Sequence, residues 1–222
     1  SAFQNSYISF EHPEKWVCEN ARGTWICQNT KEPERREALI MSIATIAGEW
    51  DSLENYLNYI KTPRTIKDDQ GIEINAQLTY AHKRKINGVE WVDALQFNSE
   101  LPGFWTRYLA TVQNKLAILV TYIVSEEYYK RLAPQFERMV LSLKPNANFD
   151  AQSPGTAEGL KPPGTEKLGR DFLESRLNSK KQTVMKPAEA VPQNQFTTTN
   201  ILVLIFAVLV IWFILFRRKK RK

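Results

Sequence analysis

The chain has 222 residues, 43% of them hydrophobic, and a formal charge of +6. Its last six residues are all basic, so the preceding 216 hold 24 basic and 24 acidic side chains and balance to zero. A neutral body excludes the spread basic footprint of a nucleic-acid binder, and the pI of about 9.2 reports the tail alone.

Residues 7–10 (YISF) read as a strand ended by His12-Pro13. Two apolar-aromatic segments around Trp16–Cys18 and Trp25–Cys27 flank the turn-like ENARG, with Gly23 free to take a positive φ. If Cys18 faces Cys27, Glu19 faces Ile26 and Trp16 shares the sulfur face. The expectation is a structural disulfide, Cys18 to Cys27, on the oxidising side of a membrane; two reduced, unrelated cysteines are the alternative. Residues 32–37 are a charged connection. Residues 38–47 carry three β-branched isoleucines and favour a strand. Residues 51–60 place Leu53, Tyr56, Leu57 and Ile60 at helical spacing, with Asp51 as N-cap and Thr62-Pro63 as stop. After the turn at 68–71, strands 76–86 and 89–97 flank Asn87-Gly88, the strongest short hairpin signal in the chain. Strands 104–112 and 116–124 flank Gln113-Asn114-Lys115. Residues 125–143 are helical, with Tyr128, Leu132, Phe136, Met139, Val140 and Leu143 on one side, Ser125 as cap and Pro134 as a kink; Lys144-Pro145 ends the helix.

This order predicts an α+β fold, a mainly antiparallel sheet flanked by helices, over residues 1–145. Residues 146–199 are a Pro/Gly-rich linker. Within it, 165–180 places Leu168, Phe172, Leu173 and Leu177 at helical spacing, a short helix for partner binding. Residues 201–216 (ILVLIFAVLVIWFILF), from Ile201 through Trp212 to Phe216, hold no charge, Gly, Pro or hydroxyl. They read as a C-terminal transmembrane helix over 200–216, a span of roughly 24 Å at ~1.5 Å per residue. Arg217, Arg218, Lys219, Lys220, Arg221 and Lys222 then place the C-terminus in the cytoplasm and meet the anionic headgroups of the bilayer. The start at Ser1 reads as a cleaved signal peptide, with a trimmed start as the alternative. No N-x-S/T acceptor occurs, which leans toward a bacterial inner membrane with a periplasmic domain over a eukaryotic secretory protein of the same topology.

The opening YISFEHPEKW, the Asn-Gly hairpin, the aromatic strand FWTRYLATVQNKLAILVTYIV and the closing SEEYYKRLAPQFERMVLSLKP resemble PsbP/Mog1/DcrB-like domains over about residues 5–145. The resemblance implies a small binding or accessory domain. It brings no shared catalytic set and no site residues.

The search for chemistry finds two histidines, His12 and His82, far apart, and no phosphate loop, nucleophile elbow or dinucleotide fingerprint. We therefore expect no catalytic residues, no metal, no cofactor, no small-molecule ligand and no nucleic acid. The run His82-Lys83-Arg84-Lys85 reads either as an anion patch or as a solvated, protected sheet edge. Phe104 and Trp105, beside Pro102-Gly103, either face a partner or begin the next strand with one ring in the core. The candidate partner-binding residues are thus Phe104, Trp105, Leu168, Phe172 and Leu177. Three functions fit: an accessory subunit of an integral membrane protein complex of the envelope, a ligand-binding or sensing domain with a closed apolar pocket, and an enzyme with an unrecognised site.

Overall fold

The computed structural model describes residues 1–146, apart from 22 and 69, together with Leu160. Its elements in chain order are β1 (Ala2–Gln4), β2 (Ile8–Glu11), β3 (Trp16–Ala21), β4 (Thr24–Asn29), α1 (Glu34–Glu37), β5 (Ala38–Ile46) and α2 (Leu53–Lys61). There follow β6 (Thr65–Lys67), β7 (Glu73–Asn75), β8 (Gln77–Ile86), β9 (Val89–Phe97), β10 (Phe104–Gln113), β11 (Leu116–Ser125), α3 (Glu126–Ser142) and β12 (Lys144–Pro145). Seven strands make one antiparallel sheet in the order β3-β4-β5-β11-β10-β9-β8. The architecture is α+β and sheet-rich, as the pattern of elements predicts.

Strand alternation gives the sheet two apolar faces, and each takes a helix. On one face Trp16, Cys27, Ile40, Trp91, Leu109, Ile118 and Tyr122 pack against Leu132, Phe136, Met139, Val140 and Leu143 of α3. Each fully buried large apolar side chain there contributes about 1.5–3 kcal/mol. The small sheet β1-β2-β12 adds Phe3, Ile8 and Phe10 to the same core. On the other face Val92, Ala94, Tyr108 and Ala110 meet Tyr56, Leu57 and Ile60 of α2.

The hairpins follow their turn residues. Asn87 (φ 47°) and Gly88 (φ 84°) form a two-residue turn with both φ positive, as do Asn114 (φ 49°) and Lys115 (φ 64°). The second loop is therefore one residue shorter than the sequence suggests, because Gln113 stays in β10 opposite Leu116. Cys18 lies opposite Cys27 and Glu19 opposite Ile26, and the disulfide is formed.

One helix cap differs from expectation and the other lacks its side-chain bond. Ser52, not Asp51, caps α2: its Oγ accepts from the Asn55 amide at 3.1 Å. Asp51 is buried and accepts from the Gly48 amide and the Tyr56 hydroxyl instead. Ser125 is the N-cap of α3, as expected, but makes no side-chain cap bond; it pairs in β11 opposite Phe104, and the Glu126 amide finds the Gly103 carbonyl. α3 runs through Pro134 as one helix. β1, α1, the β6–β7 ribbon and β12 have no counterpart in the sequence reading. They are two to four residues long and held by tertiary pairing, which leaves no periodicity to read.

Candidate functional site

β10 separates the two aromatic candidates. Phe104 shares a face with Tyr108 and packs on Leu39, Leu101 and Ile123. Trp105 points to the α3 face, partly buried, stacked on Tyr129 at 4.8 Å with 26° between planes and tilted against Phe97 at 4.9 Å. Both rings begin the strand and are partly buried, on opposite faces: Phe104 packs on the small cluster, whereas Trp105 packs on the edge of the α3-side core.

Trp105 borders a recess between the sheet and α3, lined also by Tyr80, Arg107, Tyr122, Tyr129 and Phe136. Its volume is about 30 Å³, room for about one water. The floor is ionic. Asp93, 1% exposed, accepts from Arg107 Nε at 2.8 Å and Nη2 at 2.6 Å, and from Arg84 Nη1 at 3.2 Å. Glu137 of α3 closes the ring, accepting from Arg84 and Arg107 at 2.7 Å each. The Tyr80 hydroxyl donates to Asp93 at 3.3 Å. Two guanidinium groups and two carboxylates thus cancel beneath the aromatic rim.

Environment shifts the titration of Arg107, Glu137 and the neighbouring tyrosines. Burial works against the Arg107 charge, but the hydrogen bonds and attraction of Asp93 outweigh it and hold its pKa above the usual value. Burial would raise Glu137; the two arginine hydrogen bonds overcome it and hold the carboxyl below its ordinary 4.5. Burial pushes the Tyr80, Tyr122 and Tyr129 hydroxyls up, and Asp93 adds to the effect at Tyr80. The recess therefore offers neutral hydroxyls, ring faces and one arginine whose charge Asp93 and Glu137 balance. This chemistry suits stacking and apolar contact with a partner surface.

The sequence reading missed this network. Its one visible signal is Asp93, a carboxylate in the middle of the otherwise apolar stretch WVDAL of β9. Its partners come from β8, β10 and α3 and meet only once the register is set. The basic run splits the same way. Arg84 turns inward to Asp93, while Lys83 pairs with Glu54 at 2.6 Å on the opposite face. β8 is an edge strand, and His82 is exposed beside the Tyr80 ring.

A larger hollow of about 550 Å³ lies between β2, β3 and α3, bordered by Glu11, His12, Lys15, Glu34 and Arg138. It is open and polar, unlike the closed apolar pocket expected of a sensing domain. His12 Nδ1 is 3.0 Å from the Pro13 carbonyl. Among the described residues no three His, Cys, Asp or Glu side chains are grouped as metal ligands. Among them, too, no helix is long and apolar enough to cross a membrane. Leu168, Phe172, Leu177, the run from Ile201 through Trp212 to Phe216, and the basic tail all lie outside the described residues.

No family model matches the chain, and no curated protein matches it. Solved structures that match its fold include three from different organisms. One is the cyanobacterial PsbP (CyanoP) from Synechocystis sp. PCC 6803, with 12% identity and TM-score 0.48 over 66% of this chain and 92% of that one. The second is a protein from Bacteroides thetaiotaomicron, with 12% identity and TM-score 0.39 over 67% and 49%. The third is LpqN, involved in cell envelope biogenesis of Mycobacterium tuberculosis, with 9% identity and TM-score 0.44 over 66% and 84%. These likenesses are loose, and no site residue is carried over from them.

Proposed function

We propose that the chain is a non-catalytic accessory subunit of a cell-envelope membrane protein complex. On this reading residues 201–216 anchor it in a bacterial inner membrane, the tail 217–222 stays in the cytoplasm against anionic headgroups, and the α+β domain stands in the periplasm. The observation that carries the reading is the partly buried Trp105 stack beside a charge-balanced ionic network. A Trp fixed by ring contacts on both sides loses little entropy on binding, and such residues anchor protein interfaces. The Cys18–Cys27 disulfide supports an oxidising compartment, and the basic flank of the apolar run supports the same orientation.

The test is purification of the full-length chain in mild detergent, with crosslinking and mass spectrometry of what accompanies it. A stoichiometric integral membrane partner crosslinked near α3 and β10 supports the reading. A chain that runs alone and monomeric overturns it. A second reading, a periplasmic ligand-binding domain, has the 550 Å³ polar hollow in its favour. It predicts saturable binding of a polar small molecule that the charge reversal Arg138→Glu abolishes.

A further inference from the structure

The domain does not end with its last strand. Leu160, fifteen residues beyond Pro145, is 6% exposed and belongs to the α2-side core with Tyr56, Ile60, Val92, Ala94 and Tyr108. Its amide donates to both oxygens of Asp51, at 3.3 Å and 3.1 Å. That carboxylate is itself buried and is oriented by the Tyr56 hydroxyl and by the Gly48 amide at 2.7 Å. A buried carboxylate needs donors, and here three distinct groups supply them. Only one of the three, the Leu160 amide, comes from outside residues 48–56.

We propose that the α2 face, with Asp51 at its edge, is a docking site for the chain's own segment around Leu160, read by one apolar side chain and one backbone amide. This explains why Asp51 turns inward and leaves the capping of α2 to Ser52. The consequence for function rests on the membrane reading above. A domain released at Asn146 has the 54 residues 147–200 between it and the apolar run, whereas one docked at Leu160 has the 40 residues 161–200. At ~3.3–3.6 Å per residue, docking cuts the greatest possible stand-off from roughly 190 Å to roughly 140 Å. The dock thus shortens the length of chain left between the domain and the apolar run.

Hydrogen exchange of the full-length chain in detergent tests the dock. The Leu160 amide is expected to exchange at least tenfold more slowly than a free amide. Leu160→Asp is expected to remove that protection while fragments from β9 and β10 stay protected. A Leu160 amide that exchanges freely in the parent chain overturns the proposal, as does protection that survives in Leu160→Asp. A pair of spin labels at Glu54 and Lys161, with Leu160 intact, gives an answer that does not depend on how the variant folds. One narrow short-distance population supports the dock, and a broad distribution overturns it. Neither readout needs the membrane, so protected Leu160 in a chain that extracts without detergent would refute the anchor and leave the dock standing.

Discussion

Replacing Asp93 with Asn removes the charge on which the α3-side recess is built. Asp93 is 1% exposed and is shared by Arg107, 13% exposed, and Arg84, 28% exposed. Breaking a buried ion pair from one side costs about 3–5 kcal/mol, because the remaining charge is left desolvated. Two features reduce that figure here: Arg84 can rehydrate, and Glu137 still contacts both guanidinium groups. The expected cost is about 2–4 kcal/mol, or a fall of about 5–12 °C in Tm for a domain of this size. Glu137→Gln removes the more exposed partner, 42% accessible, and is expected to cost under about 1 kcal/mol. Urea denaturation of the full-length chain, followed by tryptophan fluorescence, measures both. The paired substitution Asp93→Leu with Arg107→Met is expected to cost less than Asp93→Asn alone, since it leaves Arg84 and Glu137 paired and buries no lone charge. The reasoning is refuted if Asp93→Asn costs no more than Glu137→Gln.

Three further outcomes are expected. Reducing Cys18–Cys27, whose partners are nine residues apart, frees a short loop and costs about 2–3 kcal/mol in denaturant, with the domain still folded. Glu137 has a folded pKa below its unfolded 4.5, so its contribution is present above pH 4.5 and is lost as pH falls through the folded value. Acid titration of stability should therefore show a drop below about pH 4.5 that is shallower in Glu137→Gln. Trp105→Ala is expected to lower recovery of the membrane partner at least tenfold, the loss of about 1.4 kcal/mol or more that an interface anchor carries, while Phe104→Ala leaves recovery unchanged.

What was legible in the sequence is what local rules decide. The Cys18–Cys27 register follows from two Trp-led segments around a Gly turn, and Asn87-Gly88 names its own hairpin. The two helices were found from their 3.6-residue stripes because both bury one face on the sheet. The cap of α2 is not legible because Asp51 is claimed by the α2-side core, whereas Ser125 stands at the N-cap of α3 as its sequence position suggests. The candidate site was half legible. Trp105 was named, but its separation from Phe104 needed strand alternation, and the Asp93 network needed residues from three strands and a helix. Leu160 lies in a segment of linker composition, and no local pattern announces its place beside Asp51.

The most direct measurement places a photoactivatable benzoyl-phenylalanine at Trp105 in the full-length chain in cells, with the same group at Trp50 as a control, since that side chain is 39% exposed on the α2 side. An accessory subunit that uses the α3-side face gives one discrete adduct with an integral membrane protein from position 105 and none of it from position 50. The same adduct from both positions, or no membrane protein adduct from position 105, contradicts that role.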